Sequence, residues 1–284
     1  MNFRLSVIAT LAAALLDTQA ETAPLAEFPF EFREGLIWLR VNVSQSAQPL
    51  NFLLDTGAGV SVIHLRTAQR LGLKSGERVK VRGVQSTVDG FWPQRLSAKV
   101  GGVALPKDFL AVDLGKLAKA CGGAVDGLLG ADFFIGRVVQ IDFSAEKIRL
   151  LPANPSSGNG ETVALEVRRC GLRVPIRVNG GKPQGVRLDT GCVSSLQWVT
   201  SAVRPEACSR QMAIGLAEVS VPVAKTTVQL GPHEFQDVQT GLHEKEIFAG
   251  EAGLLGAGLL SRFEVVTIDA KAGRLVLEKR RACD

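Results

Sequence analysis

The chain has 284 residues, 46% of them hydrophobic and 21% charged, with 30 Gly, 12 Pro, 13 Phe and no Tyr. This balance excludes a disordered, collagenous or coiled-coil chain and leans towards many short strands joined by turns. The net charge of +5 comes from Lys and Arg scattered among Asp and Glu, a pattern that argues for solubility and against a nucleic-acid groove.

At the start, Arg4 precedes an apolar run from Leu5 to Leu16, and Thr18-Gln19-Ala20 places small residues where a signal peptidase reads. The expectation is a secretory signal peptide over residues 1–20 and a periplasmic or secreted mature protein. The run is too short for a membrane span, which needs ~20 apolar residues, and no later stretch is long enough.

The chain then repeats itself. Leu39-Arg40-Val41 leads to Phe52-Leu53-Leu54-Asp55-Thr56-Gly57-Ala58, and Leu172-Arg173-Val174 leads to Val186-Arg187-Leu188-Asp189-Thr190-Gly191-Cys192. Downstream, Asp126-Gly127-Leu128-Leu129-Gly130-Ala131-Asp132-Phe133-Phe134 is matched by Ala252-Gly253-Leu254-Leu255-Gly256-Ala257-Gly258-Leu259-Leu260. Each copy continues into a strand ending in Ile-Asp, at Asp142 and Asp269, and then a short hairpin. These landmarks lie 134, 126 and 127 residues apart, which reads as a tandem duplication. Helical patches are expected at Arg66–Leu73, from Gly130 or Ala131 into Phe134, and after Gly256. Ala153–Glu161 has linker composition. The expected organisation is a signal peptide (1–20), an N-terminal unit (21–153), a linker (154–163) and a C-terminal unit (164–284).

Each Asp-Thr-Gly delivers a carboxylate at the end of an apolar strand, where a Gly turn leaves it uncovered. If the halves pack about a pseudo-twofold axis, Asp55 and Asp189 face each other and share one proton. The ionised member can then draw a proton from water while the protonated member donates to a carbonyl oxygen. Thr56 and Thr190 are placed to hydrogen-bond across the axis, and Gly57 and Gly191 to let amides approach the carboxylates.

Paired Asp-Thr-Gly motifs, each followed by Gly-Leu-Leu-Gly, resemble the aspartic proteases, and in local wording the bacterial retropepsin-like branch. The resemblance spans roughly residues 30 to 280 and suggests two such units fused in one chain. It implies an all-β protein of two homologous β-barrel-like lobes with a central cleft, working as a monomeric endopeptidase on extended peptides without a cofactor or metal. It also implies a flap hairpin, with candidates Gly83, Val84, Gln85 and Gly90, and a shorter counterpart near Met212–Glu218. Trp92 reads as a core or interface residue rather than a cover for the site. Two alternatives remain beside this: an inactive peptide-binding module of the same fold, and a single unit that acts only as a dimer.

Other groups read as structural. Ser61 and Ser195 suit turns or caps. The three His (His64, His233, His243) have no zinc spacing, and no Gly-x-Ser-x-Gly turn supports a serine nucleophile. The five Cys allow up to two disulfides, for example Cys170–Cys283 and Cys192–Cys208, or simply buried thiols.

Overall fold

The computed structural model describes residues 23–83, 86–153, 160–168, 171–200, 209–214 and 217–279. The expected signal peptide, flap candidates Val84 and Gln85, most of the linker, and Cys170, Cys208 and Cys283 lie outside them. The described residues form an all-β fold of three sheets, with short α-helices at Leu65–Arg70, Gly115–Ala120 and Ala257–Leu260. None of these helices is long and apolar enough to cross a membrane.

Two sheets are built within the halves. In the first half, Leu50–Leu54 lies between Leu36–Val43, antiparallel, and Gly127–Leu129, parallel. In the second, Gln184–Asp189 lies between Gly171–Val178, antiparallel, and Gly253–Gly256, parallel. A strand covered on both faces should read as an apolar run rather than an alternation. Phe52, Leu53 and Leu54, like Val186 and Leu188, are indeed buried. In the second half Gly171–Val178 also pairs with the long strand Ala217–Leu230, joining distant parts of that sheet.

The third sheet interleaves the halves. Its order is Ala26–Pro29, Lys147–Leu151, Val138–Asp142, Phe263–Asp269, Arg274–Lys279 and Glu161–Ala164. At its centre Val139 faces Ile268 and Ile141 faces Val266 in an antiparallel ladder. Glu161–Ala164, which joins the end of the stretch expected as linker to the first residue of the expected C-terminal unit, is the edge strand here.

One apolar core runs through both halves, from Phe28, Phe52 and Phe133 to Leu255, Phe263 and Leu277. Each such side chain contributes about 1.5–3 kcal/mol by leaving water. A second cluster, including Trp38, Leu53, Val62, Leu110, Leu117 and Leu128, fills the first half beneath the site. Leu117 anchors the Gly115–Ala120 helix to that cluster. The helix was not expected from sequence: it is short, starts at Gly and has no side-chain cap. Trp92 packs, partly buried, on the edge of the same cluster.

Candidate active site

The Leu50–Leu54 strand ends where Asp55 begins the Thr56-Gly57 turn, and the Asp55 amide is tied to the Leu129 carbonyl at 2.9 Å. Gln184–Asp189 likewise delivers Asp189, paired with Gly256 of the neighbouring strand. The Gly-Leu-Leu-Gly strands therefore lie directly alongside the Asp-bearing strands and fix their ends. A Cβ on Gly130 would lie 2.5 Å from the Val60 carbonyl carbon, and one on Gly256 2.0 Å from the Ser194 oxygen. Both positions admit only glycine.

The two turns interlock. The Thr56 amide donates to Thr190 Oγ1 (3.1 Å) and the Thr190 amide to Thr56 Oγ1 (3.0 Å). Each hydroxyl then donates to a carbonyl of the opposite strand, Thr56 to Leu188 (2.8 Å) and Thr190 to Leu54 (2.7 Å). All four bonds are buried, where an unmade bond costs about 1–3 kcal/mol, so they hold the turns in one relative position.

This clamp brings the carboxyls of Asp55 and Asp189 into a hydrogen bond with each other. The amides of Gly57 and Ala58 donate to Asp55 Oδ1 at 3.0 and 3.1 Å, and that of Gly191 to Asp189 Oδ1 at 3.0 Å. The glycines have a further role that the sequence did not suggest. A Cβ on Gly57 would stand 2.4 Å from Asp189 Cγ, and one on Gly191 2.5 Å from Asp55 Cγ. Each turn leaves out a side chain to make room for the opposite carboxylate.

Burial raises both acids, and their environments separate them. Asp55 is raised by burial but relieved by the amides of Ala58 and Gly57, by the hydrogen bond from Asp189, and by the Arg187 charge. Asp189 is pushed well above the usual carboxylate range by burial first, then by the Asp55 charge and their shared bond. The pair titrates as a unit, with both acids held above the usual carboxylate range by burial and both opposed by the Arg187 charge.

Both acids open on a cavity of about 240 Å³. Its apolar wall comes from the first half, through Val62, Val81, Leu110, Val112, Leu114 and Leu128, while the second half contributes Arg187, Gly191 and Phe248 beside Asp189. The hairpin of Ser75–Gly83 and Ser86–Pro93 stands over this space, with Val81, Arg82 and Gly83 lining it. Gly90 lies within the hairpin's second strand, paired with Val79 on one side and Val112 on the other. The second-half hairpin of Ser209–Ile214 and Ala217–Leu230 is present as well.

The remaining candidates lie away from the cavity. Ser61 Oγ donates to Asp132 Oδ1 (2.7 Å) and accepts from the Gly130 amide (3.1 Å), so it braces the turn. His64 is buried and accepts a long bond from the Leu114 amide, His233 stacks edge-on to Phe263, and His243 bonds Gln197 at 2.7 Å. Cys192 is a free, buried thiol 2.9 Å from Ser194 Oγ, so it does not pair with Cys208. Among the described residues no group of three or more His, Cys, Asp or Glu is placed to hold a metal ion.

Sequence reasoning passed over Arg187, Arg173 and Glu251. Arg187 and Arg173 face each other across neighbouring strands, both are buried, and both bond Glu251. The available signal was a charged residue inside each of two otherwise apolar runs.

The fold brings two buried carboxyls, one from each half, to the wall of one cavity. The family model described as aspartyl protease matches residues 39–133, from within the Leu36–Val43 strand to the turn after Gly130. A comparison with curated proteins found no match.

Proposed function

We propose that the protein is an aspartic endopeptidase in which Asp55 and Asp189 hydrolyse a peptide bond through one activated water. The observation that carries this reading is the hydrogen-bonded pair of buried carboxyls, one from each half, at the edge of an open cavity. The match to the aspartyl protease model over residues 39–133 supports the same chemistry.

In this mechanism Asp55 carries the negative charge, steadied by the amides of Gly57 and Ala58, and Asp189 carries the proton. Asp55 takes a proton from the water as its oxygen attacks the scissile carbonyl carbon, while Asp189 gives its proton to the carbonyl oxygen. The neutral tetrahedral diol then collapses. Asp55 passes its proton to the leaving nitrogen, and Asp189 recovers one from the diol. Thr56 and Thr190 keep the acids in register, and Gly57 and Gly191 keep them in contact. The substrate lies extended beneath the Ser75–Pro93 hairpin, with a bulky apolar side chain against the Val62, Leu110 and Leu128 wall.

In the same reading the chain arose by duplication of one unit, with residues 21–153 and 164–284 as its two lobes. Residues 1–20 act as a signal peptide that directs it to the periplasm or outside the cell, where it works as a monomer.

The test is to incubate the purified mature protein with an unfolded protein substrate across pH, beside Asp55→Asn and Asp189→Asn. Wild type is expected to cleave, and each variant to lose activity by a factor on the order of 10²–10⁴. Equal cleavage by all three would overturn the assignment, and so would peptide binding by wild type with no cleavage.

A further inference from the structure

The two halves differ at the position two residues before each Asp. In the first half it is Leu53, paired across the strands with Trp38, and both are buried and apolar. In the second it is Arg187, paired with Arg173. Two like charges facing each other across a ladder repel, and burial makes the repulsion worse. Glu251 relieves it. Arg173 Nε and Nη2 reach Glu251 Oε1 at 2.9 and 2.7 Å, and Arg187 Nη2 and Nε reach Oε1 and Oε2 at 2.6 and 2.8 Å. The Phe248 ring covers Arg187 at 3.9 Å, and Gly171 leaves room for its guanidinium, since a Cβ there would lie 3.1 Å from Cζ.

Glu251 balances only one of the two arginines, so one positive charge is left over. The remaining Arg187 nitrogen, Nη1, donates to the Gly57 carbonyl at 3.0 Å. That carbonyl belongs to the turn that bonds Asp55, and Arg187 itself lines the cavity beside Asp189. A pair of carboxyls sharing one proton carries a single negative charge. It is the counter-charge this cluster lacks.

We propose that Arg187 is a positioning residue for the dyad: seated by Glu251 and Phe248, it pins the Asp55 turn through Gly57 and supplies the positive charge that holds the two acids in their singly ionised form. The inference rests on the peptidase reading for its kinetic tests only. Its electrostatic part concerns the acids whether or not they turn over substrate. The other ionisable groups around the dyad do not take this role. Arg82 is exposed and lines the cavity from the hairpin. The thiols of Cys121 and Cys192 are held protonated, chiefly by burial. The neighbouring Gly253–Gly256 strand brings only Leu254 opposite Arg187.

The sign of each substitution follows. Removing the cation makes ionisation of the pair harder, so Arg187→Met should move the whole activity profile to higher pH. At a fixed pH on the acid limb it should lose about tenfold in kcat, the effect of a displacement of one pH unit, with KM changed less. Glu251→Gln leaves two uncompensated cations beside the acids and should move the profile to lower pH. Arg187→Lys keeps the charge but loses the fork, so its profile should stay in place with a reduced kcat.

The experiment measures kcat and KM against pH for wild type and the three variants, with thermal melts to correct for the folded fraction. In parallel, carbon-13 NMR titrates the side-chain carboxyls of Asp55 and Asp189, which needs no turnover. Opposite displacements for Arg187→Met and Glu251→Gln, with Arg187→Lys in place, support the proposal. Profiles and titrations that superimpose on wild type in folded variants overturn it and leave the cluster as a structural ion network. If Arg187→Met does not fold, Arg187→Lys and Glu251→Gln still decide between these outcomes. Should wild type fail to cleave while the carboxyl titrations still move in opposite directions, the peptidase reading falls and the role of Arg187 stands.

Discussion

Gly57→Ala is the most direct probe of the seam. Nothing in the backbone forbids it, because Gly57 does not lie in the left-handed region that disfavours side chains. The obstacle is the opposite carboxylate: the new methyl carbon would sit 2.4, 2.5 and 2.6 Å from Asp189 Cγ, Oδ1 and Oδ2. Ordinary contact begins near 3.4 Å, so Asp189 or the turn must retreat by about 1 Å. The acid cannot move that far and keep its hydrogen bond to Asp55. A misplacement of about 1 Å costs on the order of 10²-fold in rate, or about 2.7 kcal/mol of barrier. Overpacking adds about 1–3 kcal/mol of lost stability. The measurements are kcat/KM on an apolar-rich peptide substrate and a thermal melt, with Asp189→Asn as the inactive reference. A folded Gly57→Ala protein with wild-type kcat/KM would refute the claim that this glycine exists to admit Asp189. Gly191→Ala, with its methyl 2.5 Å from Asp55 Cγ, should behave alike.

Three further outcomes are expected. Thr56→Val and Thr190→Val each strand a buried amide and a carbonyl of the opposite half, so each should cost about 1–3 kcal/mol by denaturant unfolding. The double variant should cost less than the sum, since the bonds form one clamp, and strict additivity would count against it. Asp126 is held below the usual carboxylate range because bonds from the Asn51 amide, Thr67 and Arg70 outweigh the opposing effect of burial. A lowered folded-state value stabilises above the unfolded value and is lost as pH falls through the folded one. Unfolding of Asp126→Asn should therefore show a weaker loss of stability on acidification than wild type, and an unchanged slope would remove Asp126 from that role. Finally, the Cys192 thiol is buried and pushed up to about 12, chiefly by burial. Site-resolved mass spectrometry after alkylation at mildly alkaline pH should find it unmodified until the protein unfolds, and rapid native labelling would contradict its placement.

The parts of the fold that could be read from sequence are those encoded within a few residues. The strands before Asp55 and Asp189, the Gly-Leu-Leu-Gly strands and the Val138–Asp142 and Lys147–Leu151 hairpin all carry an apolar run closed by a turn residue, and each lies where that pattern put it. The packing of glycine against the opposite acid was not legible, because it depends on residues 132 and 136 apart, Gly57 with Asp189 and Gly191 with Asp55, meeting in space. Arg187 was hidden for a related reason. A charge within a strand ordinarily marks a solvent-facing position, and only Glu251, 64 residues further on, makes this one tolerable in the interior. The interleaving of the third sheet escaped for the same reason, since its central ladder joins Val139 to Ile268.

That interleaved sheet governs how the chain can be cut. Val139 and Ile141 are covered because the far end of the polypeptide supplies Phe263–Asp269 alongside them. A fragment stopping after residue 153 would carry the Val138–Asp142 strand with one whole row of amides and carbonyls bare, a template for whatever strand it meets first. Two such fragments would zip together along that row, related by a twofold rotation. Covalent continuity thus keeps that edge covered by the protein's own tail.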